Sequence, residues 1–103
     1  MTTLEKVRRL EQYIAVDQSV VNPVLEMTIE KLLTRETERV LDLKKRLMQQ
    51  LQEFEENYGL KSADFYARYE KGEMGDEIDF MEWSATVEML ANHDRRLALL
   101  KGE

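Results

Sequence analysis

The sequence predicts an all-α chain. Three observations carry that expectation: apolar residues recur at spacings of three and four over most of its length, one Pro and four Gly leave few turn signals, and charged residues reach 35% of 103 positions. A charge content well above the usual quarter is typical of exposed helical faces. The expected arrangement is a long amphipathic helix with a shorter N-terminal helix and a C-terminal helical hairpin packed on it, as a bundle or a coiled-coil-like dimer. Residues 1–21 form a short helix and linker, and residues 22–103 form the helical domain.

Leu4, Val7, Leu10 and Ile14 define the first helix, with Thr2 and Glu5 placed as a capping box. The period lapses over Ala15 to Val21. Asn22-Pro23 restarts it, because Asn is a strong N-cap and Pro loses nothing at the first helical position. From residue 23 to residue 58 the pattern is unbroken: Leu25, Ile29, Leu33, Val40, Leu43, Leu47, Leu51, Phe54 and Tyr58 form one stripe. A helix of that length runs about 54 Å at 1.5 Å per residue, more than a domain this small covers by itself. Ile29, Leu33, Val40, Leu43, Leu47, Leu51 and Phe54 are therefore the expected core or dimer stripe, and a homodimer is expected. Glu36 interrupts the stripe, either as a register-setting charge or where the helix turns to water.

Gly59 ends the long helix. A short helix over 62–71 follows, with Ser62 as its N-cap and Phe65, Tyr66 and Tyr69 as its apolar side. Gly72 closes it, Glu73 to Asp76 make a turn, and Asp79 with Glu82 forms a second capping box. The last helix, 79–100, carries Phe80, Trp83, Val87, Leu90 and Leu97 on one face, broken by Asp94.

Composition bounds function. Without Cys there is no disulfide, thiolate site or Cys nucleophile. The charged opening residues do not suit a signal peptide, and no apolar run reaches membrane-spanning length, so a cytoplasmic location and no membrane are expected. The net charge is −6. It divides as zero over residues 1–22, −2 over 23–58 and −4 over 59–103. Glu70, Glu73, Asp76, Glu77, Asp79 and Glu82 face only Lys71 in their stretch. That acidic surface repels phosphate backbones and argues against nucleic acid as a partner, while suiting a basic protein.

Catalytic parts are sparse. His93, the single histidine, cannot build a multi-histidine metal site, and near a helix end it suits the helix dipole. Glu73, Asp76, Glu77 and Asp79 do not follow the calcium-loop spacing. Glu53, Glu55 and Glu56 resemble part of a helical metal-hydrolase set, but Glu53 and Glu56 flank the Phe54 stripe on its exposed side. No Gly-rich phosphate loop occurs. Neither a catalytic residue, a metal nor a cofactor is expected.

From Phe54 to Leu90 the chain resembles a family of small helical bacterial and archaeal antitoxins encoded beside toxins of the TumE type. The resemblance lies in an ordered motif: Tyr58-Gly59 at a helix end, Ser62 with Phe65-Tyr66 at a helix start, Gly72-Glu73-Met74-Gly75-Asp76 at a turn, then Asp79-Phe80 and Glu82-Trp83. A weaker echo covers Asn22-Pro23 and the long helix. The resemblance implies neutralisation of a toxin by binding rather than catalysis. The chain departs from many antitoxins in having no recognisable DNA-binding domain or long disordered tail, which puts autorepression in doubt. Tyr66, Tyr69, Glu73, Asp76, Glu77 and Asp79 are the expected partner-binding residues. A helical scaffold or assembly subunit is the alternative, and a carboxylate metal-dependent hydrolase stands behind both.

Overall fold

A computed structural model describes residues Met1–Glu103. Four helices follow in order: α1 (Thr3–Val16), α2 (Pro23–Tyr58), α3 (Ser62–Glu70) and α4 (Ile78–Lys101), with a single 3-10 turn at Gln18–Val20. No strand is present. The chain is all-α, with the long helix α2 bounded where its caps place it. The compact units divide at Thr34/Arg35, inside α2, rather than at the Asn22 restart.

The first unit, Met1–Thr34, holds α1, the 3-10 turn and the opening turns of α2. Thr2 Oγ1 accepts from the Glu5 N–H at 3.1 Å, and Asn22 Oδ1 accepts from the Leu25 N–H at 3.0 Å, so both N-caps are made. Between them Asp17 caps the 3-10 turn by accepting from the Ser19 N–H at 2.9 Å, and hydrogen bonding from the Ser19 side chain and then its backbone holds the Asp17 carboxyl below the usual range. No residue of this unit is buried. Ile14, Val20, Leu25 and Ile29 are half-buried, and the rest of its large apolar side chains are exposed.

The second unit, Arg35–Glu103, contains the core. Phe65 of α3 and Trp83 of α4 are fully buried, and Phe80 nearly so. The Phe65 and Trp83 rings stack at 3.9 Å with planes 2° apart. Phe54 of α2 stacks on the other ring system of this cluster, 5.5 Å from Trp83, and Leu51 packs beside it. Burial of a large aromatic side chain is worth roughly 3 kcal/mol, so this cluster dominates the unit. Further along, Val40 and Leu47 of α2 and Leu97 of α4 are buried, and Lys44 Nζ meets Asp94 Oδ1 at 2.7 Å. Asp94 breaks the apolar face of α4 in order to pair across to α2.

Two expected caps are absent. Helix α3 starts after Lys61 and α4 after Glu77, neither with a side-chain cap. Ser62 is instead the first residue of its helix. Its N–H donates to Glu55 Oε2 at 2.8 Å, so the last turn of α2 caps α3. Its hydroxyl accepts from Trp83 Nε1–H at 3.0 Å. Asp79 accepts from the Tyr58 hydroxyl at 2.6 Å. Both residues are spent on contacts 21 positions away in sequence. His93 also differs from expectation: it lies about two turns before the end of α4 at Lys101, outside the last turn where the helix dipole acts, and its Nδ1–H donates to the Met89 carbonyl at 2.9 Å.

Candidate partner-binding surface

The candidate surface is the turn joining α3 to α4 together with the helix ends that frame it. Its backbone is fixed from both sides. Gly72, at φ 74°, takes the left-handed conformation that lets the Glu73 N–H reach back to the Arg68 carbonyl at 3.0 Å and close α3. The Glu77 carbonyl then accepts from the N–H groups of Phe80 and Met81, each at 3.1 Å, opening α4. Between these ends, Met74 is half-buried and packs on the Phe65–Phe80–Trp83 cluster. The turn is thereby pinned to the core by one side chain.

The sequence-expected residues divide by role. Tyr66 and Tyr69 are half-buried and pack against the aromatic cluster, with the Tyr69 ring 5.5 Å from Phe65. The Tyr66 hydroxyl donates to Glu88 Oε1 at 2.9 Å. Hydrogen bonding to Glu70 and Glu88, aided by burial, pushes its phenol well above the ordinary value. Asp79 is exposed but engaged by Tyr58, whose phenol that bond raises to about 12. Glu73, Asp76 and Glu77 are exposed and project from the turn. Two tyrosine–carboxylate bonds thus brace the helices while three carboxylates face solvent.

Sequence reasoning missed the apolar part of this surface. Ile78 is 73% exposed and Met81 56% exposed, directly beside Glu77, Asp79 and Glu82. Both lie off the Phe80–Trp83–Val87 face, which was the available signal. Exposed apolar side chains ringed by charge have the composition of a protein interface, with an apolar centre and a polar rim. No family model, characterised protein or solved structure matches this chain. Every residue of the ordered motif between Tyr58 and Trp83 has a position in the structure. Tyr58, Ser62, Phe65, Phe80 and Trp83 build the core and its braces and Gly59 closes α2, whereas the carboxylates of Glu73, Asp76 and Glu77 are exposed.

The dimer or core stripe divides as well. Val40 and Leu47 are buried within the second unit, Leu51 and Phe54 are half-buried there, and Leu43 is exposed. In the first unit Ile29 is half-buried and Leu33 exposed. The carboxylates of α2 are dispersed: Glu55 caps α3 and Glu56 accepts from Gln52 at 3.2 Å. No group of three or more His, Asp or Glu side chains converges as a metal would need. No helix is long and apolar enough to cross a membrane. A separate open groove of about 950 Å³ runs along α2, lined by Leu41, Met48, Leu51 and Leu60 with Lys44, Lys45 and Lys61.

Proposed function

We propose that this chain is a non-catalytic protein-binding module, an antitoxin-like protein that neutralises a basic toxin by direct binding in the cytoplasm. One observation carries the reading: Ile78 and Met81 are exposed in the first turn of α4, beside the exposed carboxylates Glu73, Asp76 and Glu77 of the turn that precedes it. An exposed acidic and apolar surface whose backbone is held by Met74, Tyr58–Asp79 and Tyr66–Glu88 is preorganised for a partner. The carboxylates would steer a basic protein, and the two apolar side chains would supply the buried contact.

The test is co-expression with the reading frame adjacent to this gene. A short basic neighbour should arrest growth alone, be neutralised by this chain, and co-purify with it. Replacing Glu73, Asp76 and Glu77 together by Lys should slow association at least about tenfold and leave the helical spectrum unchanged. Unimpaired binding by that variant removes the acidic turn from the interface. A neighbour that neither co-purifies nor is neutralised removes the toxin.

A second reading, a helical assembly subunit that associates with its own copies as a homodimer, is favoured by a different observation. Most large apolar side chains of the first unit are exposed, and none is buried. The two readings are compatible, because the surfaces belong to different units.

A further inference from the structure

The segment Met1–Thr34 is an anomaly of packing. It carries Leu4, Val7, Leu10 and Tyr13 on α1 and Met27 and Leu32 on α2 at 38–57% exposure, and it buries nothing. Helices below about 12–15 residues are marginal in water on their own, and α1 has 14 residues with no buried side chain to fix it. Compact units under about 40 residues usually depend on disulfides, metals or association. This segment has 34 residues, Cys is absent from the chain, and no three metal-ligating side chains converge. Association is what is left to hold it.

We propose that Met1–Thr34 is a self-association module, and that its occupant is the same segment of a second copy of this chain. The proposal rests on the self-association reading given above and is independent of the toxin. Area is the first argument. Six side chains about half exposed offer roughly 80 Å² of apolar surface each, or about 500 Å² together. A standard interface buries about 800 Å² per partner, a little over half of it apolar. The exposed apolar surface of one copy therefore suffices for one side of a stable dimer.

Charge is the second argument. Residues 1–22 balance to zero, and Glu26 and Glu30 against Lys31 bring the segment to −1, which leaves −5 of the total −6 on Arg35–Glu103. Two identical surfaces meet in a two-fold dimer, so a surface of one sign opposes its own kind. The near-neutral segment escapes that repulsion, and the acidic unit does not. The face on which two copies can meet without like-charge conflict is the one that also lacks a core.

The test is sedimentation equilibrium of the full chain from about 1 to 200 μM, with far-UV circular dichroism on the same samples. The parent chain should have twice the chain mass, with helicity that falls on dilution as α1 loses its cover. Val7→Glu with Leu10→Glu should give a monomer that keeps the Trp83 fluorescence of the intact second unit. Leu99→Glu, at a 78% exposed position on α4, should remain dimeric. An equimolar mixture of the Glu variant with Val7→Lys/Leu10→Lys should recover the dimer mass. A parent that is monomeric throughout overturns the proposal together with the self-association reading. A Val7/Leu10 variant that stays dimeric overturns the proposal alone. A mixture that stays monomeric assigns the loss to unfolding of α1 and overturns direct pairing.

Discussion

The contact between Trp83 and Ser62 sets the geometry of the α2–α3–α4 junction, and its energy can be isolated. Trp83 has no exposed surface, so its Nε1–H depends wholly on the Ser62 hydroxyl 3.0 Å away. Ser62→Ala removes that acceptor and the hydroxyl's bond to Glu55, while leaving the Ser62 backbone bond to Glu55 possible. It strands a buried donor, at a cost of about 1–3 kcal/mol. Trp83→Phe removes donor and second ring together. The lost contact with Phe54 and Phe65, stacked at 5.5 and 3.9 Å, should cost about 2 kcal/mol by comparison with large-to-small core substitutions.

The double variant has no stranded donor, so its cost should fall short of the sum by about 1 kcal/mol. Urea unfolding monitored by far-UV circular dichroism gives the four stabilities, provided the denaturant slope is unchanged across the set. Chain concentration must be held constant, because association would add to apparent stability. Independent sites add within about 0.3–0.5 kcal/mol. Additivity inside that margin would refute the claim that this hydrogen bond holds the junction and would reduce Ser62 to a bystander.

Other outcomes follow from the same geometry. Tyr58→Phe should remove from an alkaline absorbance titration a phenol that ionises near pH 12, because its hydrogen bond to the Asp79 carboxylate favours the protonated form. A phenol raised on folding contributes stability that is complete below its unfolded value and is lost as pH climbs through the folded one, so this variant should flatten the alkaline loss of stability. Glu55 behaves oppositely: its bonds to the Ser62 backbone and then its hydroxyl lower its carboxyl. Its contribution is present above the unfolded value and disappears as pH falls through the lowered one, so Glu55→Gln should cost about 1 kcal/mol at pH 7 and progressively less in acid. Gly59→Ala should cost about 1 kcal/mol from backbone strain at φ 63°, with no steric clash, since nothing lies within 4 Å of the new methyl. Lys44→Met should change stability by under about 1 kcal/mol, since the Asp94 pair is solvent-accessible.

Periodicity made the helices and much of the core legible. The spacing of Leu51 and Phe54 on α2, with Phe65, Phe80 and Trp83 beyond it, identifies the surfaces that meet. Asn22-Pro23 and Thr2 were readable because a cap acts within three residues. Ser62 and Asp79 were misread for the same reason: each has cap-like chemistry in a local window, but its partner lies 21 residues away. Period shows which side of a helix is apolar without showing what covers it. The α2 stripe is continuous in sequence, yet its buried members are Val40 and Leu47, while Leu33 is exposed. At the candidate surface the acids were visible in composition. Ile78 and Met81 were legible only as lying off the Phe80–Trp83–Val87 face, which says that they avoid the core without saying that they join the acids in one surface.

The two proposed associations differ enough in physics to be separated by salt alone. The turn at Glu73–Glu82 would attract a basic partner through solvent-exposed charge, and screening shortens from about 10 Å at 0.1 M salt to about 3 Å at 1 M. Its affinity should therefore fall across that range, chiefly through the association rate. The Met1–Thr34 surface is near neutral and apolar, so self-association should hold or strengthen over the same range, most clearly in sulfate, which favours apolar burial. Measuring dimer mass and partner binding on one salt series tests the division of labour directly. Loss of both together would mean that the partner meets the dimer rather than the turn, and would move its site from α3–α4 to the coreless N-terminal segment.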